Sequence, residues 1–229
     1  MTDQATPPLV ALVPMRHHSE RVPEKNLRDL AGKPLYQYIL RTLKSVPAIS
    51  RIVVNTDSPT LKEGIEKHFP EVFIIDRPAH LCGGDTPMNE ILAYDVAHVE
   101  GDFFIQTHST NPLLKAGSVE RAIDTYFDSL PEFDSLFGVT RRQIRIWDKQ
   151  GKPLNHDPQE LIRTQDLEPF FEENSCVYMF DRSTMLERGN RIGAFPQMFE
   201  IPPLEAIDID TMFDFELVEH ILQAGLDVK

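Results

Sequence analysis

Four clusters of residues in this 229-residue chain have types and spacing that could do chemistry. The first is Arg16-His17-His18-Ser19-Glu20-Arg21-Val22-Pro23-Glu24-Lys25-Asn26, in which Arg16, Arg21 and Lys25 with the Ser19 hydroxyl would converge on a polyphosphate. One charge pair at about 4 Å is worth roughly 4 kcal/mol at an effective dielectric of about 20, before desolvation, so such a loop binds an anion only if it excludes water. A solvated surface loop would have the same composition, and the spacing is not that of a Walker loop. The second cluster is Asn55-Thr56-Asp57-Ser58, with Asp76-Arg77-Pro78 and Asp85 further on. A carboxylate or amide at a strand end suits a ribose or base edge, and the same Asp57 and Ser58 would also cap a following helix. The third, Gln106-Thr107-His108-Ser109-Thr110-Asn111-Pro112, reads either as a polar site loop stopped by proline or as a turn that redirects the chain. The fourth is Asp208-Ile209-Asp210, where period-two alternation puts both carboxylates on one face. They could hold Mg²⁺, which prefers one or two carboxylates plus substrate phosphates. Asp210 or Thr211 would alternatively cap the last helix, since Thr211-Met212-Phe213-Asp214 has the form of a capping box.

These clusters follow short apolar runs, and that is what makes them candidates. The spacing predicts strands at 9–13, 51–55, 72–75, 103–106, 135–140 and 176–180, and helices at 34–45, 59–68, 89–98, 118–127 and 212–222. Such βαβα alternation specifies an α/β fold, a mostly parallel sheet with helices on both faces. Ligands in such folds sit beyond the carboxyl ends of the strands, which is where the cationic loop falls. Residues 141–174 break the rhythm, being charged, proline-dotted and without apolar periodicity. We read 1–229 as a single domain with an inserted arm over 141–175, an excursion that another subunit could cover.

Composition narrows the ligand. With 36 Asp and Glu against 23 Lys and Arg, the formal charge is −13, a poor match to nucleic acid, so a local cationic loop points to a small anion. Hydrophobic residues at 41% and charged residues at 26% are ordinary for a globular domain. Cys82 and Cys176 have no ligand or disulfide spacing around them and are expected to be reduced and buried. Met1 to Pro8 has no signal-peptide pattern and no window is long and apolar enough to span a membrane, so a cytoplasmic enzyme is expected.

Taken in order, the segments resemble the acylneuraminate cytidylyltransferase family, with the Kdo cytidylyltransferases as cousins. Arg16, Ser19, Pro23, Lys25 and Asn26 fall on the family's first loop, followed by Gly32-Lys33-Pro34-Leu35. Asn55-Thr56-Asp57-Ser58 is similar to its S-T-D-S, Arg77-Pro78 to its R-P, and His108 to Leu113 to its T-S-P-L segment. Arg163-Thr164-Gln165-Asp166 resembles R-x-Q-D, Glu173 to Tyr178 resembles E-N-G-A-I-Y, and Asp208-Ile209-Asp210 matches D-I-D. The resemblance implies a Rossmann-like fold of the nucleotide-diphospho-sugar transferase type, and transfer of CMP from CTP to a sialic-acid-like 2-keto sugar acid. It assigns Arg16, Ser19 and Lys25 to the triphosphate, Arg77 to cytosine, Asn26 to the ribose region, and Asp208 and Asp210 to Mg²⁺. Asp57, Gln106, His108 and Thr110 complete the expected binding set. The arm would be a homodimerisation segment carrying Arg163 toward the partner's site. The chain departs from the family pattern at His17-His18, where glycines are usual, and at Glu20, where lysine is usual. Arg21 restores the charge one residue along, as in the Kdo branch. Two other readings are a nucleotide-binding module without turnover, and a metal-dependent hydrolase using His17, His18 and His108 near Asp57.

Overall fold

The computed structural model describes residues 7–160 and 162–225. Most of the N-terminal stretch read as lacking a signal sequence lies outside the described residues. In chain order the elements are β1 (Leu9–Leu12), β2 (Asp29–Leu30), β3 (Lys33–Pro34), α1 (Tyr36–Lys44), β4 (Ile49–Thr56), α2 (Pro59–His68), β5 (Phe73–Asp76) and α3 (Met88–His98). There follow β6 (Phe103–Gln106), α4 (Ala116–Ser129), β7 (Ser135–Arg142), β8 (Phe170–Asp181), α5 (Arg182–Arg188), β9 (Pro196–Glu200) and α6 (Met212–Gln223).

All four residues of β1 are buried, and their alternation feeds two cores. Leu9 and Ala11 face α1, α2 and α4 through Ile39, Leu43, Ile65 and Ile123, while Val10 and Leu12 face α3 and α5 through Leu92, Val96 and Met185. A strand covered on both faces must be apolar throughout, which is why LVAL reads as a run rather than an alternation. The sheet order is β5-β4-β1-β6-β8-β7-β9. β1 lies between β4 and β6, parallel to both, so the connections leave it in opposite directions and open a crevice at its carboxyl end. β8 runs antiparallel to β6 and β7, and β9 closes the far edge parallel to β7.

The mostly parallel sheet agrees with the sequence reading, and 59–68 and 103–106 hold to the residue. Helix α1 starts later than position 34, because Lys33–Pro34 pairs with Asp29–Leu30 in a hairpin whose turn, Ala31-Gly32, has φ of 47° and 89°. Positive φ at both central residues suits a tight hairpin turn. The excursion is shorter than 141–175: Arg141 and Arg142 continue β7 and pair with Phe171 and Phe170 of β8, so only the segment between the strands projects. Cys176 is buried as expected, whereas Cys82 is exposed, because the segment after β5 runs over the surface.

A third core ties the first loop to α6. Val22 of the first loop, Leu30 and Leu35 pack with Ile209 and with Phe215 and Val218 of α6. Ile209 lies between the two aspartates in sequence, so burying it turns Asp208 and Asp210 the other way, toward the crevice.

Candidate active site

A cleft of about 330 Å³ opens at the carboxyl ends of β1 and β6. Arg16, Ser19, Arg21, Lys25 and Asn26 line one wall, His108, Ser109 and Thr110 the floor, and Asp208 and Asp210 the facing side. Arg77 and the Gly83-Gly84 pair close the end near α3.

The first loop is held by its backbone and by polar side chains. Met15 N–H donates to the Asn55 carbonyl (2.9 Å), prolonging the β1–β4 ladder beyond β1. Asn26 donates to the Arg16 carbonyl (3.2 Å) and accepts from Ser109 Oγ (2.6 Å), fastening both ends of the loop to the segment after β6. Lys25, only 12% exposed at its side chain, donates to the Ile209 carbonyl (2.6 Å) and approaches Asp210 Oδ1 at 3.8 Å. Burial draws its pKa below the usual lysine value, against the opposing pull of Asp210 and Asp208. Arg21 reaches Asp210 Oδ1 at 2.8 Å, in a pair 62% and 45% exposed.

His17 stands where the family pattern has glycine, and it faces away from the cleft. Its amide donates to Asp57 Oδ1 (2.7 Å) and its ring Nδ1 lies 2.7 Å from Ser58 Oγ. Ser58 also caps α2, accepting from Leu61 N–H. Asp57 is therefore not brought to the cleft: it anchors the loop from behind. His18 and Glu20 are exposed.

Thr211, rather than Asp210, caps α6, in a capping box with Asp214. That leaves both aspartates of the pair free to face the cleft. Asp208 Oδ2 accepts from Ser175 Oγ (3.1 Å), and Thr110 hydrogen bonds to the same carboxyl. Its Oδ1 is buried without a hydrogen-bond partner among the described residues. Burial raises its pKa, with a further contribution from Asp210. An enclosed, unsatisfied carboxylate oxygen beside a second carboxylate fits a hard cation such as Mg²⁺.

The remaining expected residues divide. Thr110 lines the cleft. His108 does too, but its Nε2 is enclosed and unpartnered, and burial, with Arg191 and Lys25 nearby, pushes its pKa down to about 3. Its ring is neutral at ordinary pH. Gln106 is fully buried and its Oε1 accepts from Arg191 Nη1 (2.6 Å). Arg163 lies on the arm, paired with Asp166 at 2.7 Å, and is not among the residues that line its own chain's cleft. Among the described residues no three His, Cys, Asp or Glu side chains are grouped to hold a metal, so the histidines do not assemble a hydrolase centre.

Sequence reasoning missed Gly83-Gly84, Ser175 and Arg191. The glycine pair after a strand was a readable signal for close backbone approach. Arg191, stacked 3.5 Å over the Tyr178 ring, lies in a segment with no pattern to single it out.

Fold and cleft together define an α/β protein of the nucleotide-binding type, with a cationic loop set against a carboxylate pair. The sequence model of the family described as Cytidylyltransferase matches residues 10–228, and the chain belongs to that family. It is 32% identical over 226 residues to the 3-deoxy-manno-octulosonate cytidylyltransferase of Chlorobium luteolum, covering 96% of this chain and 87% of that one. It is 27% identical over 225 residues to the N-acylneuraminate cytidylyltransferase of Oncorhynchus mykiss, covering 95% of this chain and 51% of that protein. The pseudaminic acid cytidylyltransferase of Campylobacter jejuni is 23% identical over 228 residues, covering 94% and 97%. The chain thus spans about half the length of the vertebrate relatives and most of the Chlorobium luteolum and Campylobacter jejuni proteins. A solved CMP:2-keto-3-deoxy-manno-octonic acid synthetase complexed with CTP shares the fold, with a TM-score of 0.73 at 18% identity over 96% of this chain and 100% of that one.

Proposed function

We propose that this protein transfers CMP from CTP to the anomeric hydroxyl of a sialic-acid-like 2-keto sugar acid. The observation that carries the reading is the convergence of Arg16, Lys25 and Arg21 with Asp208 and Asp210 on one cleft, in a chain matched by the family along nearly its whole length. The anomeric oxygen attacks the α-phosphorus, the bond from that phosphorus to the bridging oxygen breaks, and pyrophosphate leaves with the electron pair while the hydroxyl proton passes to solvent.

Lys25 and Arg16 neutralise the triphosphate and hold it in line, where positioning and charge stabilisation supply most of phosphoryl-transfer catalysis. Ser19 adds a hydroxyl donor. Arg21, paired with Asp210 here, exchanges that partner for phosphate. Asp208, oriented by Ser175 and Thr110, and Asp210 would hold Mg²⁺, which when bound withdraws charge from the phosphate and acidifies the attacking hydroxyl. Asn26 lies toward the ribose. Arg77 offers N–H groups to cytosine O2 and N3, both acceptors, whereas uracil presents a donor at N3.

The arm supports a homodimer, since Ile144, Trp147 and Leu154 on the projection, with Phe170 and Phe171 at the start of β8, leave apolar surface exposed. Arg163 then enters the partner's site. Among the described residues no helix is long and apolar enough to cross a membrane, and a cytoplasmic enzyme accords with CTP as donor.

Incubation with CTP, Mg²⁺ and a panel of eight-carbon and nine-carbon 2-keto sugar acids tests the reading. Pyrophosphate is expected only with the correct acid. CTP binding without turnover across the panel would instead favour a nucleotide-binding module.

A further inference from the structure

Asp95 lies on the buried face of α3, 1% exposed, the face that also carries Leu92 and Val96 into the core. A carboxyl among those side chains is costly: burial pushes its pKa up to about 7, outweighing the opposing influence of Asn55, Arg77 and His98. Packing alone gives no reason to keep it, since a buried polar group is weak evidence for stability. Its hydrogen bonds give one. Asp95 Oδ1 accepts from Asn55 Nδ2 at 2.5 Å. Asn55, fully buried in β4, presents its own Oδ1 to Arg77 Nε at 2.7 Å and its backbone carbonyl to Arg77 Nη2 at 2.9 Å.

The chemistry of the three groups fixes their order. A guanidinium has only donors, so it requires the oxygen side of the Asn55 amide; the accepting Asp95 oxygen requires the nitrogen side. The two demands select the same amide orientation. Two bonds to one residue then fix the guanidinium plane, leaving Nη1 for the cleft that Arg77 lines.

We propose that Asp95 and Asn55 are positioning residues for nucleobase selection, Asp95 setting the amide of Asn55 and Asn55 aiming the guanidinium of Arg77 at the base. This rests on the assignment of Arg77 to cytosine made above. Titration calorimetry of the full chain with CTP and with UTP, in Mg²⁺, separates the two. Asp95→Leu and Asn55→Ser are each expected to weaken CTP roughly tenfold, the size of one hydrogen bond to a charged group, while leaving UTP unchanged. Asp95→Asn retains an acceptor oxygen and should stay within about twofold of the parent. The double substitution should weaken CTP no further than either single one, since both act through one contact. A general packing defect would weaken both nucleotides alike, and that result overturns the proposal. Arg77→Ala separates the failures. If it abolishes the preference for CTP while folded Asn55→Ser does not, the relay is wrong and the base assignment stands. If it leaves the preference intact, the base assignment fails and the relay with it. Should Asp95→Leu not fold, Asn55→Ser against Asp95→Asn decides, and equal loss of CTP affinity in both overturns the role of the acceptor.

Discussion

Lys25 and Arg21 both reach toward Asp210, yet their surroundings assign them different weight. Lys25 is enclosed and bonded to the Ile209 carbonyl, so its charge acts in a low-dielectric cleft and its geometry is preset. Arg21 is mostly in solvent, where screening reduces a pair to about 1 kcal/mol or less. Lys25→Ala is expected to lower kcat/KM by about a hundredfold, the usual cost of losing one preorganised charge-stabilising group. Arg21→Ala is expected to cost less than about tenfold, mainly in KM for CTP, and the loss should shrink further as salt is raised. Steady-state pyrophosphate release measures both. A larger loss for Arg21→Ala than for Lys25→Ala would reverse the assignment. At this scale the candidate residues were largely legible, because charged side chains just after an apolar run have few reasons to be there. What the sequence hid was direction: His17 turned out of the cleft and Gln106 committed to Arg191 are settled by tertiary partners that no local spacing reveals.

At the scale of elements, two predictions concern a helix and a buried segment that stand behind the site. Asp95 on α3 is raised from the usual aspartate value to about 7, so between pH 4 and 7 the native state holds a proton that the unfolded chain has lost. Stability therefore falls as pH rises through that window, by up to about 1.4 kcal/mol per unit from this group, and is flat above it. Asp95→Asn removes the slope: denaturant titrations should show the variant more stable than the parent at pH 8, with the gap closing toward pH 4. The second concerns Ile209 in the third core. Ile209→Ala is expected to destabilise the fold by about 2–4 kcal/mol through its cavity, and to lower activity even where the variant is fully folded, because the aspartates on either side lose their anchor. Urea unfolding alongside turnover reads both effects. Elements with one strong signal were readable, as α2 was from the cap and first turn that Ser58-Pro59 supply. Strand β8 was seen only at 176–180 because its earlier residues, exposed or half-buried and paired with the β7 extension, lack the apolar run that marked the rest.

For the whole molecule the arm is decisive. Its exposed Trp147 and Ile144 would be covered in a dimer, and Trp147→Asp is expected to shift sedimentation toward a monomer. If Arg163 serves the partner's site, mixing inactive Arg163→Ala with inactive Lys25→Ala should restore activity. Random exchange leaves one intact site in each mixed dimer, so about a quarter of parental activity returns. No recovery after demonstrated exchange would place Arg163 in its own subunit's chemistry or outside it. The sheet order, with β8 reversed and β9 at the edge, was beyond what alternation of apolar runs could specify. β8 enters between β6 and β7 and runs against both, and β9 joins β7 at the edge, directions and positions that the apolar content of a run does not encode.

The contact from Lys25 to the carbonyl of Ile209 spans 184 positions of chain. During synthesis at roughly 5–20 residues per second, the loop with its cations is made about 10–40 s before the segment that completes the cleft. Until α6 emerges, Val22, Leu30 and Leu35 have no Ile209, Phe215 or Val218 to cover them. A growing chain thus keeps an uncovered apolar patch beside its cationic loop until α6 has emerged to cover it.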